Sequence, residues 1–524
     1  MTTQWPRTVE LEGSIRDAPV GASLVGDIDF DAPLTVTVHF QRRSPPPPPL
    51  GSAKDIERLS KRMTREQLAK QRRKTHRRAA ARIEAFAKSQ GIVVAAVDYG
   101  ARSMTLQAPA RVLAKAFYAN LRLYRDDEQV FRARTGALHI PKDIAPWTRA
   151  VIGFDQRPLL RRATVAAPAG PDSMWPSQIA ALYGIPLDQD MSAQCVGVIA
   201  LGGGYQPEDL AAALAKMGRR PPIVVDQSVG GVTNQFSGGS RYDMEIALDL
   251  QVVASFVEGG RVVVYFTSNS AEGLAAAIDQ AIRDGTNKPQ VLSLSWGGPE
   301  VYWTKPRRDV VMGSLSDAVR LGVSVVTASG DSLATCGLQD GKAHVWFPAS
   351  APYALGCGGT SVSLTNAGII SENVWNDGTA GTGGGISDCD EFPVPAFQSA
   401  ANLPRSVNDG QIRRGVPDVA AMAAKAPGYR IVVNRDEWAL DGTSAATPLW
   451  AGLIAMANAK RGAPIGLVNP ALYATPQLMR PITVGDNQQN GLGYAATAGW
   501  SACTGLGAPL GAQLLAVLAA MREA

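Results

Sequence analysis

The sequence predicts an α/β protein, a parallel sheet flanked by helices on both faces, preceded by a small basic α+β unit. Three observations carry this. Past residue 190, short apolar runs at 195–201, 261–266, 291–294 and 323–327 alternate with helical stretches at 242–257, 272–284 and 310–321, and strands separated by helices imply parallel crossovers. The charge is divided: residues 1–165 hold 29 basic and 16 acidic side chains, a net of +13, whereas the remainder holds 22 and 30, a net of −8. Opposite charge on two parts of one chain suggests that they dock, or that the basic part meets a polyanion. At 524 residues the chain also exceeds one average domain.

In chain order, residues 1–8 lack the apolar core of a secretory signal, and no run of 18 apolar residues occurs, so no membrane span is expected. Residues 34–40 alternate as a half-buried strand, and the five prolines at 45–49 form an extended linker. The basic stretch 54–88 reads as a helix, with Thr64 and Gln67 placed as a capping box and Gly91 as its stop. Short strands at 93–97 and 104–106 and a helix at 110–121 complete the first unit, which ends near 151–158. Residues 163–178, rich in Ala, Pro and Gly, have the composition of an exposed connector open to proteolysis. With 45% hydrophobic residues, 19% charged residues and no internal repeat, extended disorder is excluded. The five cysteines are widely spaced and show no metal-binding pattern; mostly buried thiols are expected, with one or two bridges in the second half as the alternative.

The sharpest local motif is Asp441-Gly442-Thr443-Ser444-Ala445-Ala446-Thr447-Pro448, followed by the apolar run 449–456. A serine on the turn that opens a helix exposes its hydroxyl beside backbone N–H groups, the surroundings that a tetrahedral oxyanion needs. A simple N-cap serine has the same local sequence. A hydroxyl is a poor nucleophile unless a base removes its proton. Of the four histidines, His39, His76 and His139 lie in the basic unit, and His344 has no carboxylate partner evident in its surroundings, which assigns it a structural role. Glu245 and Asp249 stand four residues apart in the predicted helix 242–257 and share one face. Like charges at that spacing repel and favour a shared proton. Ile246, Ala247, Leu248, Leu250, Val252 and Val253 around them are apolar, so the pair is expected to be partly buried, although a solvated helix face has the same spacing.

Several segments in one order, namely Leu201-Gly202-Gly203-Gly204-Tyr205, the Glu245 to Asp249 stretch, Ser293-Leu294-Ser295-Trp296-Gly297-Gly298, Ala328-Ser329-Gly330-Asp331-Ser332, Gly383-Gly384-Gly385 and Gly442-Thr443-Ser444, resemble the sedolisin family of serine-carboxyl peptidases. The kumamolisin-type members are the most similar, and the resemblance spans nearly the whole chain. It implies a subtilisin-like peptidase domain (186–524), preceded by an activation prodomain (1–162) and a linker (163–185) that carries the maturation cleavage. It further implies that Ser444 is the nucleophile, Glu245 its direct base, Asp249 the group that orients and charges Glu245, and Asp331 the oxyanion donor. Only a protonated carboxyl can donate a hydrogen bond, so these roles imply an optimum well below neutral pH. Trp296, Gly297, Gly298, Gly383, Gly384 and Gly385 are implied to line the substrate cleft, where bare backbone pairs with an extended peptide. Glycines in tight turns have the same pattern.

Two departures from the family pattern are legible. Family members carry a calcium site near the C-terminus, with an aspartate in an Asp-Ile-Thr segment and another after Gly-Trp. Here the segments read Pro481-Ile482-Thr483 and Gly499-Trp500-Ser501. A hard dication needs anionic oxygens, so neither calcium nor another cofactor is expected; Asp486 is the carboxylate near enough to compensate. Ala200 stands where kumamolisin-like sequences have Glu, which is expected to shorten the network behind the carboxylate pair and to move the pH optimum.

The basic run 70–78 has the charge of a phosphate-binding patch or of a solvated helix, but no interleaved aromatic residues that stack bases. The resemblance supplies a third reading, an intramolecular inhibitor and folding template docked on the acidic domain, to be loosened by acid. The expected partners are therefore peptide or protein substrates and the chain's own prodomain, with no nucleic acid, no membrane and a monomeric state. Three functions stand side by side: the zymogen of an acid-acting endopeptidase that cleaves itself, a catalytically weak or inactive relative acting as a peptide-binding module, and a nucleic-acid-associated protein. The intact catalytic positions disfavour the second, and confinement of the basic run to the removable unit disfavours the third. The resemblance implies an extracellular destination, for which residues 1–8 show no signal.

Overall fold

Alternation in the sequence sets a central strand of the first unit, β1 (Pro33–Phe40), which turns Leu34, Val36, Val38 and Phe40 into a core. A computed structural model of the chain describes residues 8–41, 50–127, 129–158, 166–365 and 368–521. The segment 1–7, the proline run 45–49 and residues 163–165 of the expected linker lie outside the described residues.

In the first unit the elements that follow are α1 (Ala53–Ser60), α2 (Arg65–Ser89), β2 (Val93–Asp98), β3 (Ser103–Pro109), α3 (Ala110–Phe117), β4 (Asn120–Arg125), β5 (Val130–Thr135) and β6 (Thr148–Ile152). Four strands form an antiparallel sheet in the order β2-β3-β1-β6. Helices α2 and α3 meet through Phe86 and Phe117, whose rings stand edge to face with centroids 5.5 Å apart. Two expectations change. The helix expected over 54–88 is broken, and its second part starts at the reciprocal Thr64–Gln67 capping box. The break docks on the second unit: Met63 N–H donates to the Arg320 carbonyl at 2.9 Å, and the Arg62 guanidinium reaches the Pro464 and Ile465 carbonyls at 2.8 Å each. The helix expected over 110–121 stops at Phe117, because Tyr118 turns left-handed (φ 55°) and sends the chain into the hairpin β4–β5.

The second unit includes β7 (Ala167–Pro168), α4 (Pro176–Leu182), β8 (Cys195–Leu201), α5 (Pro207–Lys216), β9 (Ile223–Ser228), α6 (Arg241–Phe256), β10 (Arg261–Thr267), α7 (Ala271–Arg283), β11 (Val291–Leu294), α8 (Lys305–Leu321), β12 (Ser324–Ala328), β13 (Leu355–Thr365), β14 (Gly368–Val374), β15 (Val419–Met422), β16 (Tyr429–Val433), β17 (Asp436–Leu440) and α9 (Thr443–Arg461). The central sheet runs β9-β10-β8-β11-β12-β13, with β15 parallel and β14 antiparallel to β13. All other pairings in it are parallel, and its strands are continuous apolar runs because helices cover both faces. The chain is built into this unit from residue 167. Strand β7 pairs with β17, Arg430 holds the Gly170 carbonyl at 2.7 Å and the Ser173 hydroxyl at 3.0 Å, and α4 buries Ile179 and Ala180. Most of the stretch expected as a connector is thus held in place.

The charge division reappears as contacts between the units. Arg72 and Arg102 of the first unit both pair with buried Asp317 on α8, and Arg149 pairs with Asp309 of the same helix. Leu50, fully buried, enters the core of the second unit, and its carbonyl accepts the Ala396 N–H at 2.7 Å.

Helix α6 crosses α9 where Gly452 faces the ring of Phe256 so closely that a Cβ would strike Cγ. Despite alanine's better helix propensity, Gly452→Ala is expected to destabilise the fold by about 1–3 kcal/mol through overpacking, with Phe256→Leu restoring part of the loss. Denaturant unfolding of the single and double variants checks this, and a neutral Gly452→Ala contradicts it.

Candidate active site

Strand β8 lies between β10 and β11, so the chain winds outward to β9 and β10 on one side and then to β11 and β12 on the other. In such a sheet a crevice opens at the carboxyl ends of the strands where the winding reverses. The loops that leave β8 (Gly202 to Gly204), β11 (Ser295 and Trp296) and β12 (Ser329 to Asp331) all issue from that edge.

Helix α6 brings carboxylates to it. Ser240 caps the helix, with its hydroxyl accepting from the Asp243 N–H and the Asp243 side chain accepting from the Ser240 N–H. From Asp243 to Phe256 every residue of α6 is buried, Glu245 and Asp249 included. The Ser295 hydroxyl sits 2.6 Å from Asp249 Oδ1 and 3.3 Å from the Ser444 carbonyl oxygen, so one side chain ties α6 to the start of α9. That start follows Gly442, whose φ of 116° only glycine adopts without strain, and Ser444 on its first turn is buried. From the other side, Asp331 Oδ1 accepts both the Thr443 N–H at 2.7 Å and the Thr443 hydroxyl at 2.6 Å, while that hydroxyl accepts the Gly330 N–H at 3.2 Å. Asp249, the start of α9 at Thr443 and Ser444, and Asp331, distant in sequence, thus converge through Ser295 and Thr443, and Glu245 stands one helical turn before Asp249 on α6. Neither connecting residue was singled out as a site residue from the sequence, because their partners lie 46 and 112 positions away.

The glycines expected along the cleft have a structural reason for being glycine. Gly298 and Pro299 pair antiparallel with Phe347 and Trp346, and Gly385 and Ile386 with Val416 and Gly415. A Cβ on Gly297 would lie 2.7 Å from the Phe347 carbonyl oxygen, and those on Gly383 and Gly384 would collide with the Ser329 and Ala502 carbonyl oxygens. Trp296 is buried and stacks on Tyr242 with centroids 6.4 Å apart. Its Nε1 has no hydrogen-bond partner among the described residues, and Ala200, at the end of β8, is wholly buried.

His344 corrects an expectation: it has a carboxylate neighbour, Asp340, four residues back, with Nε2 3.0 Å from both carboxylate oxygens. The five cysteines are all free.

The segments expected to lack calcium ligands close on themselves. Ser501 exchanges backbone hydrogen bonds with Gly505 at 2.8 Å, and its hydroxyl accepts the Cys503 N–H at 3.1 Å. Asp486 Oδ1 accepts from the Gln488 N–H at 2.9 Å and the Asn376 amide at 3.2 Å. Among the described residues no group of three or more His, Cys, Asp or Glu side chains is placed to hold a metal ion.

The chain has relatives among known proteins. The Pro-kumamolisin activation domain family matches residues 52–157, and the subtilase family matches residues 245–483. Kumamolisin from Bacillus sp. (strain MN-32) is 40% identical over 457 residues, covering 84% of this chain and 82% of its own. Sedolisin from Pseudomonas sp. (strain 101) is 27% identical, covering 76% and 72%. Tripeptidyl-peptidase 1 from Homo sapiens is 31% identical over 313 residues, 54% of this chain and 53% of its own. Among solved structures, a Pseudomonas sedolisin, described as a serine-carboxyl proteinase in complex with pseudo-iodotyrostatin, aligns with a TM-score of 0.59 at 25% identity over 67% of this chain and 98% of that one.

Proposed function

Because the chain belongs to the sedolisin family of serine-carboxyl peptidases, we propose a division of labour among its buried carboxylates. The protein is the zymogen of a serine-type peptidase, with an activation domain ahead of a subtilisin-like catalytic domain. In our reading it is an endopeptidase. Ser444 Oγ attacks the scissile carbonyl while Glu245 takes the hydroxyl proton, and the same carboxyl then returns it to the leaving amine. Asp249, held by Ser295, orients Glu245 and shares its charge. The tetrahedral oxyanion receives a hydrogen bond from Asp331, which must carry its proton to donate. With Thr443 occupying Oδ1, that proton belongs on Oδ2. The acyl-enzyme on Ser444 is then hydrolysed by water through the same groups. The observation that supports this reading above others is the pair of hydrogen-bond runs, Asp249–Ser295–Ser444 carbonyl and Asp331–Thr443, that reach adjacent residues on the first turn of α9.

The finer elements of the proposal are these. Maturation cuts the chain between the units, in the 163–185 linker, while the chain from 167 onward stays with the catalytic domain. The apolar Ala200 at the end of β8 supports a shortened network behind the carboxylate pair. Trp296 and the glycine stretches Gly297, Gly298 and Gly383 to Gly385 border the peptide. The enzyme works as a monomer without calcium.

Acid acts on the docked prodomain as well. Burial, together with Arg102 and Arg283, pushes the His39 imidazole down from 6.5 to about 3. The ring adjoins a cavity of about 490 Å³ whose charged lining is Arg102, Arg149, Lys305, Asp309, Asp390 and Glu391. A group whose folded-state pKa lies below its unfolded value binds fewer protons when folded, so its share of stability is full above pH 6.5 and is lost as pH falls towards about 3. Burial disfavours the charge of Asp155, but Arg307, Arg16 and Arg157 hold its carboxyl below the usual range. Its contribution is likewise present above the ordinary carboxylate pKa and disappears as pH falls through the lowered one.

Four outcomes are expected. At a pH of about 4, near carboxylate pKa values, wild-type precursor converts to the mature length and Ser444→Ala does not. The mature enzyme has an acidic optimum, and Asp331→Ala, which removes the donor, lowers kcat by about 10²–10³; a pH–rate maximum at or above neutrality contradicts the assignment. In the uncleavable Ser444→Ala zymogen, His39→Gln flattens the fall of melting temperature between pH 6.5 and about 3, and an unchanged slope removes His39 from the release. Finally, a chelator such as EDTA leaves the melting temperature of the mature enzyme where it was, whereas a fall would reveal a bound cation.

A further inference from the structure

None of the steps above uses Asp243, a wholly buried carboxylate two residues ahead of Glu245. Its Oδ2 accepts the Ser240 N–H at 2.9 Å, the Ser237 and Gly239 N–H groups at 3.1 Å each, and the Ser237 hydroxyl at 2.8 Å. Its Oδ1 accepts the Gly204 N–H at 2.8 Å, across 39 residues, from the loop that leaves β8. A helix cap needs only the Ser240 exchange; the Gly204 bond goes beyond capping and fastens the first turn of α6 to the edge of the central sheet. We propose that Asp243 is the positioning residue that fixes Glu245 against the crevice between β8 and β11, an inference that rests on the assignment of Glu245 as the base.

The glycine motif at 202–204 fits this clamp. Gly203, at φ +60°, passes so close to α6 that a Cβ would lie 2.8 Å from Tyr242 Cβ and 3.0 Å from Asp243 Oδ1. A Cβ on Gly204 would collide with the Asn234 amide oxygen and the Phe236 backbone nitrogen. Bare backbone is therefore required for the loop to reach the carboxylate, and the Gly202 N–H, donating to the Thr267 carbonyl at 2.8 Å, anchors the loop to β10. Farther along α6, Gln251 exchanges two hydrogen bonds with the Val432 backbone, at 2.6 and 3.0 Å. The helix is held at both points, with Glu245 between them. Each helical residue advances about 1.5 Å and turns about 100°, so a slip of the first turn carries the Glu245 carboxyl out of line, and misplacement by about 1 Å at a reacting group costs roughly 10²-fold.

Only a carboxylate accepts on both sides of this clamp. An amide must set its NH₂ against either the Gly204 N–H or the donors of the 237–240 turn, so Asp243→Asn opens one side while keeping the shape. In the mature enzyme, Asp243→Asn is expected to lower kcat per titrated active site about tenfold or more with KM within about twofold, and to shift the acid limb of the kcat profile. Ser237→Ala, which removes one of the donors, is expected to move both in the same direction by less. If Asp243→Asn lowers only the melting temperature, leaving kcat per site and the pH profile at wild-type values, Asp243 is a cap and the inference fails. Should Asp243→Asn not mature, Ser237→Ala decides the matter by the same two readouts. Glu245→Gln, measured in parallel, separates the two claims. Activity retained in it removes the base assignment, whereas an inactive Glu245→Gln beside an unaffected Asp243→Asn removes only the positioning role.

Discussion

Helix α6 is buried on every side from Asp243 to Phe256, yet it carries three carboxylates into the interior. Much of the catalytic domain is arranged around that constraint. An ionised group taken out of water costs several kcal/mol unless hydrogen bonds or countercharge replace its hydration. The fold answers with donors: Asp243 receives the turn 237–240 and the β8 loop, and Asp249 receives Ser295. The donors come from the carboxyl edge of the central sheet, so satisfying the helix and building the crevice are one act of packing. The same edge supplies Asp331, whose acceptor oxygen is spent on Thr443 at the start of α9. The Gly452–Phe256 crossing then sets how closely the two helices approach.

How much of this was legible in the sequence follows from the range of the forces involved. Strands such as Cys195–Leu201 and Val291–Leu294 could be read because a parallel strand covered on both faces must be apolar throughout. The Thr64–Gln67 box could be read because both partners lie within one turn. The hairpin β4–β5 was hidden because the helix signal of residues 110–117 runs into it, and a left-handed Tyr118 is not a residue that announces a stop. The break before α2 was hidden because its cause, docking of Arg62 and Met63 on the second unit, lies outside the local sequence.

At the site the same division holds. Glu245 and Asp249 show themselves by spacing, and Ser444 by its glycine-led turn. Ser295, Thr443 and Asp243 do not, since a serine, a threonine and an N-terminal aspartate on a helix are ordinary until their distant partners are known. The glycine runs looked alike in sequence but differ in cause: Gly203 and Gly204 let backbone approach a carboxylate, whereas Gly383 and Gly384 let it approach carbonyl oxygens. Asp340 beside His344 was overlooked although it stands only four residues away.

In the proposed chemistry, a carboxylate base and a carboxyl donor make the catalytic site dependent on acid, and the docked prodomain depends on its absence. Above the window in which His39 and Asp155 take up protons, docking keeps its full strength. Lowering the pH moves both in the useful direction, loosening one and charging the other with its proton. A histidine-based site would gain nothing from this coupling, since protonating its base would silence it at the pH that frees it. The scarcity of histidine in the catalytic domain and the arginine-rich interface therefore belong to one physical arrangement, in which the condition that releases the enzyme is also the one in which its carboxyl groups can act.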